Sequence, residues 1–212
     1  MPIPDELYIY HIVHVDRLPS IFSDKALLCD AEIAKRPPGG AVIGMNKIKD
    51  RRLKLPLNSH PDLFVGDCVP FYFCPRSVML YVIYKANHPE LFYRGGQGAI
   101  VHLQASLRQA VVWLNQKDRR WAFTTTNAGS RFFEDYSDIN LLDRIDWKAV
   151  QARNWMDCKE RKQAEFLVEH SFPWELITRI GVRSQQVYNQ AIAALAGPAP
   201  RPVVEVRPEW YY

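Results

Sequence analysis

The segment Arg161-Lys-Gln-Ala-Glu-Phe-Leu-Val168 sets one acidic residue at the mouth of an apolar run, and this limits the fold more than any other stretch. Phe166, Leu167 and Val168 read as a buried strand, and Pro173-Trp174 marks the break after it. Glu165 at such an edge is either solvated at the rim or partly desolvated inside a cleft. Partial desolvation would raise its pKa and strengthen its hydrogen bonds, as a catalytic carboxylate requires. Strand-edge glutamates are mostly solvated, so the segment alone leaves both readings open.

A chain of 212 residues with 48% hydrophobic and 12% aromatic residues is long enough for one large domain, spanning 1–212, with a sizeable core. Its longest apolar runs, such as Val78–Tyr84, are too short to span a bilayer. The start Met1-Pro-Ile-Pro-Asp-Glu6 is acidic and proline-punctuated, unlike a signal peptide. A soluble, cytoplasmic protein is expected. Cys29, Cys68, Cys74 and Cys158 lack metal-finger spacing, and His88 and His102 have no matching second ligand, so no metal is expected.

A net charge of +4 says little, but its distribution says more. Lys47, Lys49, Arg51, Arg52 and Lys54 crowd one segment, and Lys117, Arg119 and Arg120 sit beside Trp113 and Trp121. Cations that track phosphates, interleaved with rings that stack on bases, suit a single nucleic-acid strand.

Along the chain, residues 7–14 read as a strand, and Arg17–Ser23 as a short helix with Asp16 as its N-cap. Lys35–Gly40 is a loop, and Ile43–Arg52 is a short helix or an irregular lid. Val69–Phe73 is a strand, and 77–84 a helix burying Val78, Leu80, Tyr81 and Tyr84. Gly95–Gly98 is a turn lacking phosphate-loop spacing, and it leads into a strand at Ala99–Leu103. Ala110–Leu114 reads as a strand, Thr124–Ser130 as a polar loop, Trp147–Trp155 and 185–195 as helical, and Arg201–Arg207 as a last strand. Mixed elements without strict βαβ alternation favour an α+β domain over a dinucleotide-binding α/β fold.

Beginning with Tyr10-His11-Ile-Val-His14, the chain resembles the DarT family of DNA ADP-ribosyltransferase toxins. The likeness continues through Ile43–Arg52, Val69–Val82 and Gln163–Val168 to Tyr211-Tyr212. The resemblance implies the single-domain ADP-ribosyltransferase fold, a split β-sandwich with flanking helices and a cleft for NAD. It also implies an activity, the transfer of ADP-ribose to a base in single-stranded DNA, with thymine favoured over guanine. A macrodomain antitoxin that removes the mark is the implied partner, and a monomer is expected.

Breaking the nicotinamide–ribose bond of NAD builds cationic character on the ribose, and a nearby carboxylate stabilises it and can deprotonate the acceptor. Gln163-x-Glu165 matches the superfamily's Glu/Gln-x-Glu pattern, which makes Glu165 the expected catalytic residue. Glu160, flanked by Lys159, Arg161 and Lys162, reads as an exposed loop residue. By resemblance, His11 orients a ribose hydroxyl, the backbone of Ile12 and Val13 clamps the nicotinamide amide, and His14 shares the ribose role or caps the next helix. Arg51 or Arg52 is the essential arginine of an NAD-covering loop, supported by Asn46 and Lys49. Met79 packs on the nicotinamide ring. Arg119, Arg120, Trp121 and Arg131, with Phe132 and Tyr136, lie where such enzymes read the acceptor. Two other readings are an RNA 2'-phosphotransferase-like enzyme, which would show more pocket arginines, and a non-catalytic nucleic-acid-binding domain.

Overall fold

The computed structural model describes residues 3–37, 39–197 and 201–212. In chain order its elements are β1 (Tyr8–His14), α1 (Leu18–Asp24), β2 (Ala26–Leu28), α2 (Asp30–Ala34), α3 (Asn46–Arg52) and β3 (Cys68–Tyr72). There follow α4 (Val78–Lys85), β4 (Ile100–Ser106), α5 (Leu107–Gln116), β5 (Trp121–Asn127), β6 (Asp135–Tyr136) and α6 (Trp147–Gln151). The last third holds α7 (Lys159–Lys162), β7 (Ala164–Glu169), β8 (Ser171–Pro173), β9 (Ile177–Val182), α8 (Gln185–Ala194) and β10 (Val203–Val206).

One mixed sheet runs β10-β9-β4-β1-β3-β7-β5-β6, and β2 pairs with β8 as a separate ribbon. The large sheet is split. β1 is registered with β4 along its whole length, from Tyr8–Ser106 to His14–Ile100, but with β3 only at Tyr10–Tyr72. Pro70 explains the divergence. Its carbonyl faces His11, and on that same side a proline has no N–H with which to continue the ladder. The α+β class expected from the mixed elements is present, its strands joined in one large mixed sheet that parts between β1 and β3.

The alternation of β7 separates core from site. Phe166 and Val168 enter the main core with Phe71, Phe123 and Phe172. Each such phenylalanine contributes about 1.5–3 kcal/mol by burial. Glu165 and Leu167 face the other side, where Leu167 packs with Leu57, Leu63 and Val65. A one-residue slip would drive Glu165 into the phenylalanine cluster, so the aromatic core fixes the register that places the carboxylate.

Several segments differ from the sequence expectation. Ala110–Leu114 belongs to helix α5: Ser106 caps it at Gln109 N–H, and Leu107, Ala110, Val111 and Leu114 recur on one buried face at helical spacing. Thr124–Asn127 ends strand β5 rather than opening a loop, because β-branched threonines suit a pleated surface. The helix starting at Trp147 stops at Gln151, leaving Trp155 outside it. Asp16 does not cap α1: His14 Nδ1 accepts from Asp16 N–H over a 3-10 turn, and α1 begins at Leu18. Ile43–Arg52 resolves into the helix Asn46–Arg52, and Tyr84 is exposed rather than packed. Within the 35–40 loop, Pro38 lies outside the described residues.

Candidate active site

Glu165, second residue of β7, is only 3% exposed, so the strand-mouth carboxylate is desolvated rather than washed by solvent. Arg52, in the last turn of α3, reaches it with two parallel hydrogen bonds: Nη1 to Oε1 at 3.2 Å and Nη2 to Oε2 at 2.9 Å. Ala128 N–H donates a third bond to Oε1 at 3.3 Å. Burial works against the charge on Arg52, but the charge and hydrogen bonds of Glu165 outweigh it and hold the guanidinium pKa above its ordinary value.

Three local features set this geometry. Gly66 lets the 3-10 turn before β3 touch α3, since a Cβ there would stand 2.7 Å from Leu53 Cα. Lys49 ties α3 to α2 through Asp30 at 2.6 Å. Beside Glu165 the β5–β7 register is irregular between Phe123 and Asn127. There Thr124 Oγ1 accepts from Glu165 N–H at 3.0 Å and donates to Thr126 C=O at 2.6 Å, standing in for the missing ladder bond.

His11 sits where the sheet splits, with Nδ1 2.7 Å from Pro70 O. A carbonyl only accepts, so Nδ1 carries the proton and Nε2 is left as an acceptor. Burial lowers the His11 pKa, the bond to Pro70 opposing it, and keeps the ring neutral near pH 7. Past Tyr10–Tyr72 no register pair joins β1 to β3, so residues 11–13 present backbone to the split. Tyr72 stands opposite Glu165 in the β3–β7 register, and burial followed by the Glu165 charge keeps its phenol protonated.

The remaining expected residues separate into those near this pair and those far from it. Arg51, next to Arg52, is exposed, and Asn46 is exposed at the start of α3. Met79 and Ile12 pack into the second apolar cluster with Leu80 and Ile83. His14 Nδ1 is occupied by Asp16 N–H at 3.3 Å. Glu160 is exposed, as expected, but on the short helix α7. Arg131 lies in the segment following Ala128, exposed beside the ring of Phe132, which is 83% exposed.

Trp121, Arg119 and Arg120 are a correction. Trp121 is buried against Phe166, its indole N–H held by Asn115, so it has no free face for a base. Arg119 bonds the carbonyls of Glu169 and Ser171, and Arg120 pairs with Asp62 and Glu169. Glu169 ends β7 four residues beyond Glu165, about 13 Å along a strand. Sequence reading missed Tyr72, Thr124 and Ala128, whose parts come from cross-strand register and carry no local signal. Among the described residues no group of three or more His, Cys, Asp or Glu side chains could hold a metal. Nor is any helix among them long and apolar enough to cross a membrane.

The split at Tyr10–Tyr72 thus opens beside the arginine-held carboxylate of Glu165, which stands opposite Tyr72. The family model described as ssDNA thymidine ADP-ribosyltransferase, DarT, matches residues 10–212. A DNA ADP-ribosyl transferase of Thermus sp. (strain 2.9) is 39% identical over 99% of this chain and 98% of its own. Its counterpart in Thermus aquaticus is 35% identical over 100% and 90%. Among solved structures, Thermus sp. 2.9 DarT in complex with ADP-ribosylated ssDNA matches with TM-score 0.90 and 36% identity, covering 100% of this chain and 99% of that one. The complex with NAD+ matches with TM-score 0.84 and 34% identity, covering 100% of both. Thermosipho africanus DarTG in complex with ADP-ribose shares the fold at TM-score 0.75 and 22% identity, over 96% of this chain and 50% of its own. The chain belongs to the DarT family.

Proposed function

We propose that this protein transfers ADP-ribose from NAD to thymine in single-stranded DNA, with Glu165 as the catalytic carboxylate and Arg52 as the essential arginine. The buried two-bond contact of Arg52 with Glu165 carries this reading. Family membership and the Thermus relatives supply the donor and the acceptor class.

As the nicotinamide–ribose bond of NAD breaks, the Glu165 carboxylate stabilises the cationic sugar and takes the proton released by the attacking base. Arg52 and Ala128 N–H hold that carboxylate in place. His11 Nε2 accepts from a ribose hydroxyl, and the backbone of Ile12 and Val13 at the split grips the nicotinamide amide, with Met79 and His14 nearby. Asn46, Lys49 and Arg51 extend the same helix toward the phosphates. Arg131 and Phe132 offer an exposed cation and ring to an unpaired base. Such a mark on DNA suits a cytoplasmic toxin, acting as a monomer and countered by a macrodomain antitoxin.

The test is incubation of the protein with labelled NAD and a panel of oligonucleotides. Label should enter single strands containing thymine and spare both thymine-free strands and duplexes. NAD turnover with no oligonucleotide labelled would overturn the acceptor assignment, and labelling of a guanine-only panel would overturn the base.

A further inference from the structure

At the end of the sheet where β1 starts, β3 ends and β7 starts, a cavity of about 290 Å³ lies open to solvent. Its walls come from the residues leading into β1, the turn between β3 and α4, and the end of α6. Arg76, Arg153 and Lys162 border it, against one carboxylate, Glu6. The three cations differ in what they have left to give. Lys162 is buried and already bonds Val150 O and Ala152 O, both at 2.9 Å. Glu6 is exposed at the rim and accepts from Tyr8 OH at 3.1 Å.

Arg76 and Arg153 have no acidic partner among the described residues. The Arg76 guanidinium lies 4.4 Å over the ring of Tyr212, and its Nε is buried without a hydrogen-bond partner. The guanidinium thus rests on an aromatic face with no carboxylate to neutralise it, which suits it to an incoming anion. A third donor points the same way. Arg179 Nη1 donates to Gln104 Oε1 at 2.8 Å, and Gln104 Nε2 therefore donates to Tyr10 OH at 3.1 Å. With its oxygen accepting from Gln104, the Tyr10 hydroxyl directs its own proton away from Gln104, and Tyr10 lines the cavity.

We propose that this cavity binds a backbone phosphate of the DNA strand being modified, through Arg76, Arg153 and the Tyr10 hydroxyl. The proposal rests on the transferase reading and locates part of its acceptor. Tyr10, Tyr72 and Glu165 are successive register partners on one face, which puts Tyr10 two strands from the carboxylate, about 10 Å away. A nucleotide or so of extended strand covers that span. The phosphates of NAD are the other source of the same chemistry. The walls argue for DNA: no residue of α3, the helix that carries Arg51 and Arg52, contributes to them.

The experiment measures transfer to a thymine-containing single strand by wild type, Arg153→Ala, Arg76→Gln and Arg76→Lys, with KM for oligonucleotide and for NAD determined separately. Arg153 is exposed, so Arg153→Ala guards against loss of fold in the Arg76 variants. Oligonucleotide KM should rise roughly tenfold in Arg153→Ala and Arg76→Gln. The salt dependence of binding should shrink by about 0.7 in log–log slope per lost contact. A scan with single uncharged methylphosphonate linkages should find one linkage whose neutralisation weakens wild type but not Arg153→Ala. A rise in NAD KM alone would assign the cavity to the dinucleotide, and unchanged oligonucleotide KM in all folded variants would remove it from binding. Either result overturns the proposal while wild-type labelling stands. Failure of wild type to label any single strand would overturn the transferase reading itself.

Discussion

Arg52 and Glu165, 113 positions apart in the chain, meet through two nearly parallel N–H···O bonds inside the protein. Taking both charges out of water is costly, and a buried pair of this kind adds little net stability over an apolar substitute. Its value lies in geometry. The planar guanidinium fixes the plane of the carboxylate, and a lysine offers no such fork.

Arg52→Ala should therefore abolish transfer, by about 10²–10³-fold. Arg51 is exposed and without a bond to Glu165, so Arg51→Ala should lose far less and mainly as a raised KM for NAD. Arg52→Lys should recover little of the loss. Single-turnover transfer rates for the three variants check this. Equal loss in Arg51→Ala and Arg52→Ala would mean that the solvent-facing arginine moves into the cleft when NAD binds.

Glu165→Gln retains size and one acceptor oxygen but removes the charge, so transfer should fall roughly 10²–10⁴-fold. It also leaves Arg52 buried without a counter-charge, a situation that costs about 3–5 kcal/mol when it is complete. A lowered melting temperature is thus expected alongside the lost activity, and Glu165→Gln,Arg52→Gln should recover stability without activity. Glu160→Gln is the control. Glu160 is exposed, with a hydrogen bond from Ser130 at 3.5 Å, and its loss should change little. An inactive Glu160→Gln beside an active Glu165→Gln would reverse the assignment.

Glu165 was legible in sequence because the apolar triplet after it fixes both strand and face. The choice between Arg51 and Arg52 was not, since adjacent helical positions differ by roughly 100° in direction and only the seating of α3 on Gly66 selects one. Trp121 misled for the opposite reason. Its arginine neighbours suggest a nucleic-acid surface, yet pairing of β5 with β7 turns the ring onto Phe166. Ala110–Leu114 is a short apolar run whose period cannot separate strand from helix without the Ser106 cap. The split sheet itself could be inferred only from the resemblance, although Pro70 is its physical cause.

Thr124 offers a test of how the β5–β7 irregularity serves the site. Thr124→Val keeps shape but strands the Glu165 N–H, a loss of about 1–3 kcal/mol, or a few degrees in melting temperature for a domain of this size. Because the lost bond belongs to the residue bearing the carboxylate, kcat should fall with little change in the KM for NAD. Thr124→Ser keeps the hydroxyl and should restore kcat. Equal kcat in Thr124→Val and wild type would make the hydroxyl purely structural.

His102 gives the protein a pH-dependent stability separate from its catalysis. The imidazole is fully buried, Nε2 lies 2.9 Å from Pro75 O and so donates, and Nδ1 is buried without a partner. Burial lowers its pKa from 6.5 to about 4. His11 is shifted in the same direction, also by burial. The unfolded chain therefore binds protons that the folded chain refuses, and stability rises with pH across this window. The contribution is fully present above about pH 6.5 and is lost progressively as pH falls toward 4, a few kcal/mol for His102 in all. His102→Gln keeps an amide donor for Pro75 O and removes the titration. Its melting temperature should lie below that of wild type at pH 7.5, because the packing against Tyr211 and Trp210 is lost, and the gap should narrow toward pH 4.5. A gap that stays constant across that range would show that His102 does not resist protonation in the folded state.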